Sequence, residues 1–148
     1  MALTYQLDIF KSGSGLTSGY SIKSNSNNII SAPTVSSDRI SWSGDANGGG
    51  VAFYINPAVA LSGYTKLCVD FECSYNWGGD YGMAFGVGKD AAAGTTIDWT
   101  NWTAKITNGA NPIARNTVQC DISKLTDSEY IKIVGSYSAG KIYNIWLE

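Results

Sequence analysis

Apolar and polar residues alternate along most of the chain, which is the period-two signature of strands with one face buried. Leu3, Tyr5, Leu7 and Ile9 alternate with Thr4, Gln6 and Asp8 until Lys11-Ser12-Gly13-Ser14-Gly15 breaks the run. Short strands are predicted over 20–23, 28–31 and 39–43, and in the last of these Ile40 and Trp42 share a face. A Gly-rich loop, 43–50, precedes Val51, Phe53 and Ile55, which point inward until Pro57 closes the strand. The clearest strand is 66–75: Leu67, Val69, Phe71, Cys73 and Tyr75 form its core face, and Cys68, Asp70, Glu72 and Ser74 the other.

The turn cluster Asn76-Trp77-Gly78-Gly79-Asp80 leads to a strand over 81–88. There Tyr81, Met83, Phe85 and Val87 face the core, and Gly82, Ala84, Gly86 and Gly88 form a face stripped of bulk. Such a face admits another backbone, a ligand or a neighbouring subunit. Val118, Cys120 and Ile122 form a later inward set, followed by strands over 131–137 and 141–147. In the last strand Ile142, Asn144 and Trp146 oppose Tyr143, Ile145 and Leu147, so both faces are expected to be covered. Single helical turns are predicted at 58–61 and 123–125. Together these segments predict an all-β fold, an antiparallel β-sandwich or jelly roll of about eight to ten strands. Its 148 residues suit one domain spanning 1–148.

Composition narrows the chemistry. Gly, Ser, Thr and Asn make up 56 of 148 residues and charged residues only 15%, a polar surface rich in turn formers. With no His, the chain builds neither a Ser-His-Asp triad nor an imidazole acid/base or zinc site. A net charge of -2 without a basic cluster argues against nucleic acid. No apolar run is long enough for a membrane helix, and the start lacks a basic and apolar leader, so synthesis in a reducing cytosol is expected. Cys68, Cys73 and Cys120, an odd number without CxxC spacing, read as buried free thiols.

Loop aromatics are the first binding candidates, because sugar rings stack apolar C–H faces on flat side chains. Trp77 sits between Asn76 and Asp80, and Trp99 and Trp102 are flanked by Asp98 and Asn101. The competing reading makes these tryptophans packing residues at the edge of the sandwich, whereas Trp42 and Trp146, inside strand patterns, read as core. Asp70 and Glu72, about 6 to 7 Å apart on one strand face, match the spacing of a glycosidase pair but equally that of a solvated sheet. No cofactor is expected. Calcium beside the Gly-rich turns at Asp45, Asp80 or Asp90 is the alternative, weakened by the lack of a DxDxDG loop. Asn101-Trp102-Thr103 is a glycosylation acceptor only on a secretory route, and the Gly runs lack the Lys-Ser/Thr of a phosphate loop.

The stretch Leu61-Ser62-Gly63-Tyr64-Thr65-Lys66-Leu67-Cys68-Val69-Asp70, with Cys120-Asp121-Ile122-Ser123, Tyr130-Ile131-Lys132-Ile133 and Ile142-Tyr143-Asn144-Ile145-Trp146-Leu147-Glu148, resembles the galactose-binding-like jelly rolls of carbohydrate-binding modules. It is also similar to short accessory domains of tailed-phage and prophage structural gene clusters. The resemblance implies a sandwich that binds glycans at its loop tips or on a concave face, carried on a virion or attached to an enzyme. Taken as a module standing alone from Met1, the chain is expected to be a non-enzymatic virion surface protein: a head decoration, head fibre or tail accessory subunit. Capsid or tail proteins and host-surface or mucosal glycans are then its partners, with no nucleic acid and no membrane insertion. Self-association through the Gly/Ala face is a further expectation. The alternative is a free carbohydrate-binding module of a polysaccharide-degrading system. The third, a small glycosidase or lyase, rests on Asp70 and Glu72.

Overall fold

The computed structural model describes residues 6–24, 30–45, 48–74, 83–94, 100–108 and 112–148. Among them lie only strands, turns and bends. In chain order the strands are β1 (Leu7–Lys11), β2 (Gly15–Leu16), β3 (Ser21–Ser24), β4 (Thr34–Val35), β5 (Ile40–Trp42), β6 (Gly44–Asp45) and β7 (Gly48–Asn56). They continue with β8 (Val59–Ala60), β9 (Lys66–Ser74), β10 (Met83–Gly88), β11 (Ala104–Asn108), β12 (Ile113–Asp121), β13 (Ser128–Ser136) and β14 (Ala139–Leu147). Four of the fourteen, β2, β4, β6 and β8, are two-residue strands, which leaves ten longer ones as the alternation implies. The turn expected at 58–61 is instead β8, which pairs with β13 through Ser128 and Glu129. At 122–125 the chain does tighten, with Leu125 N–H donating to the Ile122 carbonyl at 3.0 Å.

The strands form two antiparallel sheets of a jelly-roll sandwich. The first runs β12-β9-β14-β1-β2, with β5 also paired to β14 and β4 to β5. The second runs β11-β10-β13-β7-β3, with β6 on β7 and β8 on β13. Between them lies the main core, in which the alternating sets meet: Val69 and Phe71 from β9, Met83, Phe85 and Val87 from β10, and Val51, Phe53 and Ile55 from β7. Phe71 and Phe85 meet edge to face across the sandwich, ring centroids 4.6 Å apart. Trp42 joins this core at 8% exposure, as its place in the strand pattern implies, and its indole N–H donates to Ser138 Oγ at 3.3 Å.

The two outer faces differ. On the second sheet, Ile30, Ala52, Ala84, Ala93 and Val134 form a separate buried cluster, with Tyr54 and Trp102 packed against it. At Gly86 and Gly88 the stripped face of β10 receives this chain's own backbone. A methyl group at Gly86 would overlap the Ala104 carbonyl of β11, and one at Gly88 the Asn101 carbonyl. Beneath that segment Lys132 is 1% exposed, its ammonium donating to the Asn101 carbonyl at 3.3 Å. The first sheet has no second apolar layer among the described residues, and its outer face is polar.

That polar face departs from the expected alternation at β14. One edge of β14 is shared: Gly140, Lys141 and Ile142 pair with β5, and residues 144–147 with β1. The register against β9 slips between Ile142 and Asn144, so Tyr143 is a bulge residue. One extra residue puts Ile142 and Ile145 on the same, buried side. Trp146 is thereby carried out of the core, where simple alternation from Ile142 would have kept it, onto the outer face.

Candidate functional site

Outward positions of four paired strands build the polar face. Strand β9 contributes Lys66, Cys68, Asp70 and Glu72; β14 contributes Lys141, Asn144 and Trp146; β12 contributes Thr117 and Gln119; and β1 contributes Asp8 and Lys11. Arg115 joins them from the irregular stretch of β12 between Ile113 and Asn116. Three of the ion pairs of the described residues lie here and cross strands: Lys66–Glu148 at 3.8 Å, Arg115–Asp70 at 3.0 Å and Lys141–Glu72 at 3.5 Å.

Asp70 is the hub. Its carboxylate accepts Arg115 Nε at 3.1 Å and Nη2 at 3.0 Å, a two-pronged grip, and Asn144 Nδ2 at 2.9 Å. The Arg115 hydrogen bonds hold the Asp70 carboxyl below its ordinary range, against the opposing effect of burial. The same guanidinium lies 3.7 Å above the Tyr143 ring. Burial and a hydrogen bond to Glu72 push the Tyr143 phenol up. Asp70 is committed to Arg115 and Asn144 and Glu72 to Lys141, so the two carboxylates are members of a cross-strand lattice of ion pairs and hydrogen bonds.

Beside this lattice Trp146 forms part of a hollow of about 280 Å³ lined by Gln6, Asp8, Lys11, Asn144, Trp146 and Glu148. The indole is half-buried, and its N–H donates to Glu148 Oε2 at 3.1 Å. Lys66 holds the same Glu148, so the ring is tied in one position at the edge of the hollow. Gln6 Nε2 donates to Asp8 Oδ1 at 2.8 Å, and Asn144 Oδ1 accepts the Ser12 N–H at 3.1 Å. A second hollow, about 320 Å³, lies between the start of β9 and the end of β12 and is lined by Thr65, Lys66, Gln119, Asp121 and Ser123. Flat ring, amides and paired charges around a shallow depression suit a ligand with one apolar face and many hydroxyls.

Of the sequence-predicted site residues, Asn76, Trp77, Asp80, Asp98 and Trp99 lie outside the described residues. Asn101 and Trp102 sit on the opposite sheet. Trp102 is half-buried against the second apolar cluster, and Asn101 is exposed, its Nδ2 donating to Asp90 Oδ2 at 2.6 Å. The structure does not bring this pair to the polar face. Asp90, a calcium candidate, thus has the Asn101 amide as a partner, and among the described residues no three carboxylates or thiols gather into a metal site. Sequence reasoning missed Trp146, Tyr143, Asn144 and Arg115. The available signal was the alternation of β14, which puts Asn144 and Trp146 on one face; the bulge at Tyr143 separates that face from Ile142 and turns it outward.

No protein-family model matches the chain, and no curated protein sequence matches it. Solved structures do. A variant of a family 29 carbohydrate-binding module superimposes with a TM-score of 0.55 at 15% identity, over 98% of this chain and 92% of that one. Another variant of that module, complexed with cellulohexaose, gives a TM-score of 0.50 at 16% identity over 97% and 89%. A cleaved adhesin domain of Lys-gingipain from Porphyromonas gingivalis gives 0.53 at 13% identity over 98% of both chains. These likenesses show a shared jelly-roll fold.

Proposed function

We propose that the chain is a non-catalytic carbohydrate-binding domain whose sugar platform is the outer face of the first sheet around Trp146. The observation that carries this reading is the tied, half-buried indole at the rim of a hollow lined by Gln6, Asp8, Lys11, Asn144 and Glu148. A fold shared with carbohydrate-binding modules, one of them complexed with cellulohexaose, supports it. Nothing in the fold favours a virion setting or capsid and tail partners, so the free module is the better reading.

The test is affinity electrophoresis of the protein on gels containing β-glucan, glucomannan, mannan, xylan or pectin, followed by calorimetry with oligosaccharides of any retarding polymer. Loss of a stacking ring costs about 1–3 kcal/mol for flat ligands, so Trp146→Ala is expected to weaken binding at least about fivefold. Trp102→Ala, on the opposite face, is expected to bind as the wild type does. Trp77→Ala and Trp99→Ala report on the loop-tip alternative. Absence of retardation on every polymer, or wild-type affinity in Trp146→Ala, overturns the assignment.

A further inference from the structure

We propose that the folded chain forms an intramolecular amide bond between the side-chain nitrogen of Lys132 and the carboxamide carbon of Asn101, with Asp90 carrying the proton. The bond lies on the second sheet, opposite the sugar platform, and is independent of that reading. Lys132 is the starting point, because its amine is buried without a matching charge. None of the ion pairs of the described residues includes it, and its hydrogen bond runs to the Asn101 main-chain carbonyl at 3.3 Å. An ammonium buried in that way is costly, and conversion to a neutral amide removes the cost.

The glycines of β10 make the contact possible. Lys105 of β11, Gly86 of β10, Lys132 of β13 and Tyr54 of β7 form one row across the ladder, and Gly88 lies beside it opposite Tyr130. A Cβ at Gly88 would meet both the Asn101 carbonyl and the Lys132 amine, so glycine lets the backbone at Asn101 settle onto the tip of the lysine. The carboxamide carbon of Asn101 is three bonds from the carbonyl carbon whose oxygen that amine touches. Its Nδ2 donates to Asp90 Oδ2 at 2.6 Å. Amine, carboxamide and carboxylate thus meet between the end of β10 and the start of β11.

The step balances without an outside reagent. Neutral Lys132 Nζ attacks Asn101 Cγ and forms the new C–N bond; Asp90 takes the proton that Nζ sheds and returns it to Nδ2, and the Cγ–Nδ2 bond breaks to release ammonia. The Asn101 side chain is exposed, so the ammonia leaves to solvent. Burial lowers the Lys132 ammonium below the ordinary lysine range and supplies the neutral nucleophile, with Asp90 and Glu129 opposing. The freshly folded chain carries the free amine, and linkage gains about tenfold per pH unit until the folded value is reached.

Intact-mass spectrometry of the full chain, held for days at pH 7 and pH 9.5, tests the proposal. The wild type is expected to lose the mass of one ammonia, faster at the higher pH. Tryptic digestion is then expected to yield segment 90–105 joined to segment 125–141, with Lys132 uncut. Lys132→Arg keeps the charge and removes the nucleophile, and is expected to yield no joined segments. Asn101→Ala, at an exposed position, removes the electrophile with the same expected result and keeps the test decisive should the first variant fail to fold. Asp90→Ala, which removes the proton carrier, is expected to slow linkage at least about a hundredfold. Linked wild type is expected to melt higher than Asn101→Ala, since a cross-link restricts the unfolded chain. A wild-type mass that stays constant, joined segments that form equally in Asn101→Ala, ammonia loss without joined segments, or loss of one water with Lys132 joined to Asp90 overturns the proposal.

Discussion

Arg115 stands over the ring of Tyr143 at 3.7 Å, yet its position is set by Asp70, which takes both Nε and Nη2 from the neighbouring strand. The carboxylate thus holds the stack in place on the outer face of the first sheet. Asp70→Asn keeps the shape and removes the charge. Its melting temperature is expected to fall by a few degrees, and Arg115 to loosen from Tyr143.

The pH dependence follows from the same contact. The Asp70 carboxyl is held below its unfolded value, near 3.9. Its stabilisation is then complete above about pH 4 and is lost as pH falls through the lower folded value. The difference in melting temperature between wild type and Asp70→Asn should be flat from about pH 5 to 8 and shrink below about pH 4. A difference that persists unchanged into strong acid contradicts this account.

Lys132 gives the opposite sign. Burial at 1% exposure lowers its ammonium below the ordinary lysine range, and Asp90 and Glu129 only partly offset that. Between the lowered folded value and about 10.4 the unfolded chain binds more protons, so stability rises with pH in that alkaline window. Lys132→Met keeps the stem that lies over Gly88 and removes the charge. It is expected to lose the alkaline rise, so its stability relative to the wild type falls between pH 7 and pH 10. Lys132→Ala, which empties the stem's volume, is expected to cost about 2–3 kcal/mol. Urea melts at pH 7 and pH 10 decide both.

The contrast between β9 and β14 shows what was legible in the chain. In β9 strict alternation holds, so Leu67, Val69, Phe71 and Cys73 fall inward and Asp70 and Glu72 outward, as the pattern implies. In β14 the same rule misplaces Trp146, because the bulge at Tyr143 moves Ile142 and Ile145 to one side. A bulge arises where β5 and β1 divide the edge of one strand, a tertiary arrangement that local periodicity does not encode. Arg115 was equally hidden, since its role depends on Asp70 and Tyr143, each from a different strand. Solvent-facing tryptophans were sought in polar loops, whereas Trp146 sits inside a strand.

Gly86 and Gly135 separate two kinds of crowding. A Cβ at Gly86 would meet the Ala104 carbonyl and the Lys105 Cα of β11, backbone atoms of a paired strand. At Gly135 the nearest atom is the Met83 sulfur, the far end of a flexible side chain. Gly86→Ala is therefore expected to cost about 2–3 kcal/mol and to shift β11, whereas Gly135→Ala costs about 1 kcal/mol after Met83 turns aside. Chemical denaturation, with amide exchange at 104–108, distinguishes them. Equal losses at the two positions would show that β11 yields as easily as a methionine.

Of the three thiols, Cys68 reports on the side chains that cover the outer face of β9. Cys68, Cys73 and Cys120 are free and buried, and burial pushes each up to about 11. At pH 8 only about one thiol in a thousand is then ionised, and thiolate is the reacting form. Ellman's reagent is expected to leave the native protein unlabelled over hours and to count three thiols after denaturation. Cys73 and Cys120 face the main core, whereas Cys68 lies on the outer side under Trp146 and Gln119. Trp146→Ala or Gln119→Ala should therefore uncover one thiol and no more. Labelling of that thiol in either variant at least about tenfold faster than in wild type, with Cys68→Ala abolishing the gain, places both side chains over Cys68. Unchanged labelling in both variants would show that other neighbours cover it.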